Sequence, residues 1–586
     1  MMEASVAGRS GPSMETADLD HSVPAETTIV AESYLRLLAS RGVRYLFGNG
    51  GTDFAPIIEA YARAGEGAPE LPVPVIVPHE NVAVAMAHGY HMVSGELPAV
   101  MVHVGLGTAN SLNGIYNACR SQIPMLFTAG RTPILEEGMT GARTNLINWA
   151  QEMFDQAGML RELVKWDYEL RLPQQVEIVV DRAVALAQSE PRGPVYLTLP
   201  REVLAMPAAG AEPLPRTRTQ PAVPPRADTA ALETLAAWIR EAKAPLIITA
   251  ELGRDPAEVP VLAALAEAAA IPVVQNRPRY LGLPSSHPMA CGFDPGALLP
   301  EADLVIVSDC DVPWMPTKTS PNPAARIVHL GTDPHFARYP VRGFHADLAI
   351  TGAAGPALAA LHGLLGRLEG PEIDARRAKV TAHHQALLDR AAKVRGEAEA
   401  KSPISFAWAT HCIDQSIDAD TILVNEYPLV LDQLSFETPG SFFSYSPAGG
   451  LGWAVGAALG AKLAAPEKTV IATVGDGAYM FSNPTPAHFV SRATDLPILT
   501  IVFNNSLWGA VRGATLSVYP DGHASRANRM PLATLDPSPD YEKLVEASGG
   551  YGEKVTDPAE VPAALRRALH AVRVERRQAV LNLIVR

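Results

Sequence analysis

At 586 residues the chain exceeds what one hydrophobic core can fill, so three or four domains are expected. Hydrophobic content of 47% and charged content of 19% are globular values, and a net charge of −14 without basic runs excludes a nucleic-acid or anionic-membrane partner. No uninterrupted apolar stretch reaches membrane-spanning length, and Cys119, Cys291, Cys310 and Cys412 are too dispersed for a metal-ligand or disulfide pattern, which points to a reducing cytoplasm.

Residues 1–26 lack the basic start and apolar run of a secretory signal and read as a mobile polar tail. A helix is expected from about Thr28 to Ser40, with Val30, Tyr34, Leu37 and Leu38 on one face and Gly42 just past its end. Strands are expected at Tyr45–Phe47, Val75–Val77, Ala99–Val104, Met125–Thr128 and Val195–Leu199, with helical stretches between them. A linker rich in proline and alanine, Ala205 to Arg226, leads to a second block with strands near Leu246–Thr249, Val273–Val274, Leu304–Val307 and Ile327–Leu330. The charged stretch Arg367 to Lys401 precedes a third block, which has a helix near Ile404–Ile413 and strands at Ile422–Val424, Val470–Val474, Ile498–Phe503 and Ala579–Ile584. Alternation of apolar strands with helices predicts an α/β fold of three consecutive parallel-sheet domains, over 27–204, 227–365 and 402–586.

The most informative segment lies between the second and third strands of the last block. There Gly475-Asp476-Gly477 ends one apolar strand and Asn504-Asn505 ends the next. Open parallel sheets bind ligands at such carboxyl ends. Magnesium takes one or two carboxylates plus neutral oxygens, water and phosphate, so Asp476 and Asn505 suit a cation carrying a diphosphate, and the glycines let backbone approach it. Gly-Asp-Gly alone is equally an N-capped turn. In the first block Glu80 follows an apolar strand at the mouth of an apolar helix, where a carboxylate also serves the helix dipole. His103 ends the strand AVMVHVG, where a core histidine is the plain alternative to a proton donor. The loop FGNGGTD carries Gly50, Gly51 and Thr52, as an ordinary strand-to-helix turn also does.

These stretches resemble the thiamine-diphosphate (ThDP) decarboxylase and acetolactate synthase superfamily, over nearly the whole chain after the tail. FGNGGT is similar to the glycine loop of benzoylformate decarboxylases, VMVHVGLGTANSLNGIYNA to their histidine strand, and SPAGGLGWAVGAALGAKLAAPEKTVIATVGDG to the approach to their metal motif. The resemblance implies a pyrimidine-binding, a middle and a diphosphate-binding domain. It implies that Glu80 bonds the aminopyrimidine of ThDP, that His103 transfers protons, and that Thr52 orients the substrate carboxylate. Leu451 bends the coenzyme. Gly50, Gly51, Gly475, Gly477, Ala478 and Asn505 contact it. Asp476, Asn505 and the Leu507 carbonyl hold Mg2+. It also implies a site shared between subunits, in a homodimer or dimer of dimers.

Some positions depart from the pattern. Asp476 and Asn505 are 29 positions apart, slightly longer than usual, and the extra residues fall in Asn483-Pro484-Thr485-Pro486, read as a modified helix start. Asn425-Glu426-Tyr427-Pro428 replaces hydroxyl residues, so diphosphate holding leans on backbone groups. His287 falls near a second active-site histidine, with a loop histidine as the alternative. AELGRDP lacks a Gly-x-Gly turn, which argues against FAD. The chain therefore reads as a ThDP- and magnesium-dependent enzyme on a small 2-oxo acid, decarboxylating it and passing the fragment to a proton or to an aldehyde or 2-oxo acid acceptor. An acetolactate-synthase-like carboligase, a flavin-dependent oxidase and a non-catalytic ThDP-binding protein are the rivals.

Overall fold

The computed structural model describes residues 27–65, 67–208, 219–399 and 401–586, so the tail expected over 1–26 lies outside the described residues. The first domain is a six-stranded parallel sheet of β1 (Tyr45–Gly48), β2 (Val73–Ile76), β3 (Ala99–Val102), β4 (Met125–Arg131), β5 (Asp167–Glu169) and β6 (Pro194–Pro200), in the order β2-β1-β3-β4-β6-β5. The middle domain has five parallel strands, β7 (Pro245–Thr249), β8 (Val273–Gln275), β9 (Leu304–Ser308), β10 (Arg326–Gly331) and β11 (Leu348–Thr351), in the order β11-β10-β9-β7-β8. The third repeats the first domain's order as β13-β12-β14-β15-β17-β16, from β12 (Thr421–Glu426), β13 (Phe442–Ser444), β14 (Thr469–Gly475), β15 (Leu499–Asn504), β16 (Tyr551–Val555) and β17 (Ala579–Ile584).

Helices on both faces bury the central strands completely, which is why β3, β7 and β9 read as apolar runs and β12 has an apolar centre, Ile422–Val424. The strands not anticipated from sequence, β5, β11, β13 and β16, all lie at sheet edges. The charged stretch is a 28-residue helix, Pro371–Ala398, buried only at scattered positions such as Arg376, Val380 and His384. The Asn483-Pro484 segment does start a helix, Pro484–Ala493, with Asn483 in the left-handed region at φ 50°. The strand expected to reach Val104 stops at Val102. His103 is the N-cap of the helix Val104–Arg120, and Val104 takes a positive φ of 29° at the turn.

The first and third domains share one hydrophobic core, joined where helix Glu80–Ser94 crosses helix Ala454–Ala464. The crossing is built from small residues. A Cβ on Gly89 would overlap the Ala457 carbonyl, and one on Gly460 would overlap the Met86 carbonyl. Close backbone approach of this kind leaves no room for any side chain at the contact.

On helix propensity alone, Gly→Ala in a helix interior should stabilise by about 1 kcal/mol. Gly363→Ala, in the helix Ala354–Leu365 with open space around its Cα, should raise Tm accordingly. Gly89→Ala should lower it, because overpacking costs roughly 1–3 kcal/mol. Thermal unfolding of the two variants beside the native chain checks the contrast.

Candidate active site

Both six-stranded sheets reverse their strand order at a switch point, between β1 and β3 and between β12 and β14, where open α/β sheets hold ligands at their carboxyl ends. In the first domain the chain leaves β1 through Gly48–Asp53 and leaves β3 at His103. The imidazole Nδ1 of His103 lies 2.5 Å from Asp53 Oδ1, and Asp53 is only 2% exposed. This hydrogen bond, with the field of Asp53 and Glu80, raises the His103 pKa above its ordinary value against the opposing effect of burial. Gly51 is required here, since a Cβ there would overlap the His103 ring. Thr52 points out to solvent, and its carbonyl accepts from the Arg201 guanidinium.

Glu80 opens helix Glu80–Ser94, whose N-cap His79 accepts the Asn81 amide. Its carboxylate is 7% exposed and accepts from Asn110 Nδ2 at 3.2 Å. Asn110, Asn113 and Asn117 form a stripe along the helix Val104–Arg120 that ties Glu80's neighbourhood to the third domain. Asn113 Nδ2 donates to the Leu451 carbonyl at 3.0 Å and reaches Asn81 Oδ1 at 3.5 Å. Asn117 donates to the Gly450 carbonyl at 2.8 Å and accepts the Gly450 amide at 3.0 Å. Within one chain, then, the loop bearing Leu451 is fastened to the helix that faces Glu80.

The same loop is gripped from behind by Glu426 at the end of β12. One carboxylate oxygen accepts the Gly452 amide and the other the Ala454 amide, each at 2.7 Å. Gly452, at φ 87°, has no space for a Cβ because the Phe481 carbonyl occupies it. Burial pushes the Glu426 carboxyl up to about 7, against the lowering pull of those amides.

Asp476 starts the helix Asp476–Phe481 after β14 and is 2% exposed. Its Oδ1 accepts the Gly477 amide at 2.8 Å, while Oδ2 is buried with no hydrogen-bond partner. Burial raises its pKa, opposed by the amides of Gly477, Ser506, Leu507 and Asn505. After β15 the two asparagines divide their roles. Asn504 is spent on Ser538 and Asn582, whereas the part-exposed Asn505 accepts the Leu507 amide at 3.0 Å. The orphaned carboxylate oxygen beside a neutral amide suits a hard cation that takes one carboxylate and neutral oxygens. No cluster of three His, Cys, Asp or Glu side chains occurs among the described residues, so a cation here relies on that mixed set. Gly475 faces open space, whereas Gly477 lies beneath the Trp508 ring, which a Cβ would strike.

Three domain models match in sequence order. They are the thiamine pyrophosphate enzyme N-terminal TPP binding domain over residues 29–159, the central domain over 232–361 and the C-terminal TPP binding domain over 426–581. The chain belongs to the thiamine pyrophosphate enzyme family. Within the decarboxylase and acetolactate synthase superfamily, the chain is 28% identical to a benzoylformate decarboxylase of Pseudomonas aeruginosa, over 93% of this chain and 97% of that one. It is 26% identical to the acetolactate synthase isozyme 3 large subunit of Escherichia coli, over 93% of each. The fold matches that of the 4-hydroxybenzoylformate decarboxylase of Rhodococcus jostii RHA1 with a TM-score of 0.77, 22% identity, 95% of this chain and 99% of that one covered.

Against that family frame, the structure brings Glu80 and Leu451 to the two sides of the asparagine stripe, pairs His103 with Asp53, and sets Asp476 beside Asn505–Leu507. His287 stands elsewhere. It sits in a middle-domain turn, its Nδ1 accepting the Met289 amide, and its electrostatic neighbours are Glu267 and His384. Asp53, Asn110, Asn113, Asn117, Gln151 and Glu426 were not singled out from sequence. The asparagines had a readable signal, a polar stripe at helical spacing in TANSLNGIYNA.

Glu426 offers a pH test. Between 4.5 and about 7 the folded chain keeps a proton that the unfolded chain has lost, so this group's contribution to stability falls as pH rises through that window. Glu426→Gln cannot ionise. Its Tm should therefore drop less than that of the native chain between about pH 5 and about pH 8. Parallel Tm losses in both proteins would exclude the assignment.

Proposed function

We propose that the protein is a ThDP- and Mg2+-dependent enzyme that decarboxylates a small 2-oxo acid without net oxidation and can also join the resulting fragment to an aldehyde or 2-oxo acid acceptor. The observation that carries this reading is the partnerless, buried Oδ2 of Asp476 beside Asn505, inside a matched TPP binding domain. Asp476, Asn505 and the Leu507 carbonyl would hold the metal, with amides near Gly477 and Ala478 toward the diphosphate. Bound ThDP supplies a carbon nucleophile and an electron sink.

The chain's own groups perform the remaining tasks. Glu80 holds a proton at the aminopyrimidine from a site shielded by Asn110. Leu451, fastened through its loop by Asn113, Asn117 and Glu426, would pack against the bound coenzyme. His103 moves a proton at the reacting carbon, and Thr52, at the same loop, faces the substrate carboxylate. The working unit is a homodimer or a dimer of dimers. In support, Leu146, Trp149 and Phe154 stand exposed around Gln151, the neighbour of His103. A cytoplasmic setting fits the four free, buried cysteines and the lack of any described helix long and apolar enough to cross a membrane. FAD has no role in this reading. Glu251 and Asp311, just past the carboxyl ends of β7 and β9, are tied to buried Arg279 at 2.7 and 3.0 Å, where a flavin diphosphate would need free amides.

The near-equal identity to an acetolactate synthase keeps the carboligase reading alive. A panel of 2-oxo acids with ThDP and Mg2+, with and without an acceptor aldehyde, separates the two: aldehyde release from pyruvate or an aromatic analogue against acetolactate. Calorimetry adds the metal test. Asp476→Ala should abolish ThDP uptake in the presence of Mg2+, and uptake unchanged from the native chain would refute the site. His103→Ala should cut turnover on the order of a hundredfold while leaving ThDP uptake intact.

A further inference from the structure

The His103 ring has a second partner. Gln151 Nε2 stands 3.3 Å from His103 Nε2, and the amide's other atom, Gln151 Oε1, is buried with no partner. Oxygen and nitrogen of a glutamine amide are distinguished only by their hydrogen bonds. Rotating the amide by half a turn places Oε1 on the imidazole and moves Nε2 into the partnerless position, so either orientation leaves one amide atom unpaired and the protonation of His103 decides between them. A charged ring selects the orientation with Oε1 facing Nε2–H. Asp53 makes the matching demand on the other side. Its carboxylate is 2% exposed, its Oδ2 reaches the Val104 amide only at 3.4 Å, and its ion-pair partner among the described residues is His103. A buried carboxylate needs a cation or full hydrogen bonding, and the imidazole is what the fold supplies.

The room for the pair is built into two separate segments. A Cβ on Gly51 would overlap the His103 ring, and one on Gly130, at the end of β4, would overlap the Asp53 carboxylate. The other charged group acting on His103 is Glu80, also an acid, which reinforces the cation. Gly105, the second residue of the following helix, leaves space for Met153, so the segment that carries Gln151 is packed down over the histidine.

We propose that His103 rests as a doubly protonated imidazolium, with Nδ1–H donated to Asp53 and Nε2–H donated to the Gln151 carbonyl oxygen, and that Asp53 is the positioning residue that keeps the acid loaded. This deepens the functional reading above and rests on it for the identity of the reaction. Substrate displaces Gln151 from Nε2. The Nε2 proton passes to the reacting carbon, the ring is left neutral with Nδ1–H still on Asp53, and the part-exposed ring recovers a proton from water. A site loaded this way ends its cycle by protonation and aldehyde release, so the pair biases the outcome away from carbon–carbon joining.

Ring-nitrogen NMR of protein labelled with 15N-histidine, with His103→Ala used to assign the signal, tests the charge state without coenzyme or turnover. The native His103 should titrate above the ordinary value of about 6.5. In Asp53→Asn its midpoint should fall back toward that value, turnover should drop about tenfold or more at alkaline pH and less at acid pH, and the ratio of joined product to aldehyde should rise. Gln151→Met should leave the midpoint above 6.5 while changing the Nε2 shift. A native midpoint at or below the ordinary value overturns the proposal even if Asp53→Asn fails to fold, and so does an unchanged midpoint in a folded Asp53→Asn. Loss of ThDP uptake by the native protein would instead defeat the functional reading and leave the titration result standing.

Discussion

The crossing of helix Glu80–Ser94 over helix Ala454–Ala464 is the constraint on which the rest of the molecule depends. Glycine and alanine at the contact let two backbones meet with nothing between them, and this merges the first and third domains into one core. Each helix begins at the site. Glu80 is the first residue of one, and Leu451-Gly452-Trp453 immediately precedes the other. A rigid crossing therefore sets the distance between the Glu80 carboxylate and the Leu451 loop of the same chain. The ring contact of His88 with Trp453, at 5.4 Å between centroids, extends the same interface toward that loop.

Two sheets of identical strand order place two crevices in one chain, and the side chains at their switch points divide the chemistry. The first domain contributes titratable groups: Glu80, His103 and Asp53. The third contributes charge-binding groups: Asp476, Asn505 and a ring of backbone amides. The asparagine stripe on the helix Val104–Arg120 ties Glu80 to the Gly450–Leu451 backbone of the third domain, because amides can bond a carboxylate at one end and main-chain carbonyls at the other without carrying charge.

Beside Glu80, which accepts from Asn110, three other buried carboxylates at these crevices are each stabilised differently. Glu426 spends both oxygens on amides at a helix amino-terminus, where the dipole also favours negative charge. Asp53 takes an imidazole. Asp476 accepts the Gly477 amide on one oxygen and has no hydrogen-bond partner on the other. Burying a carboxylate is costly unless it is paired, so the one left unfinished is the one whose chemistry suits an external cation.

Much of this was legible in the chain. Strands buried on both faces announce themselves as apolar runs, and Gly475-Asp476-Gly477, Asn504-Asn505, Glu80 and His103 sit at the ends of such runs because parallel sheets present their chemistry there. The edge strands β5, β11, β13 and β16 were not legible, since a strand of a few residues supported on one side by a neighbour carries too weak a pattern. Nor was the helix Pro371–Ala398, whose polar surface hides a seam of scattered buried residues. Fold class, coenzyme family and the residues that carry charge can be read from the chain, because those depend on local order and residue type. That Asp53 stands against His103, that Gln151 covers its other nitrogen, and that Glu426 and Asn117 clamp the Leu451 loop emerges from the folded molecule. Each of these contacts joins residues far apart in the chain, and their meeting depends on how sheets and helices pack.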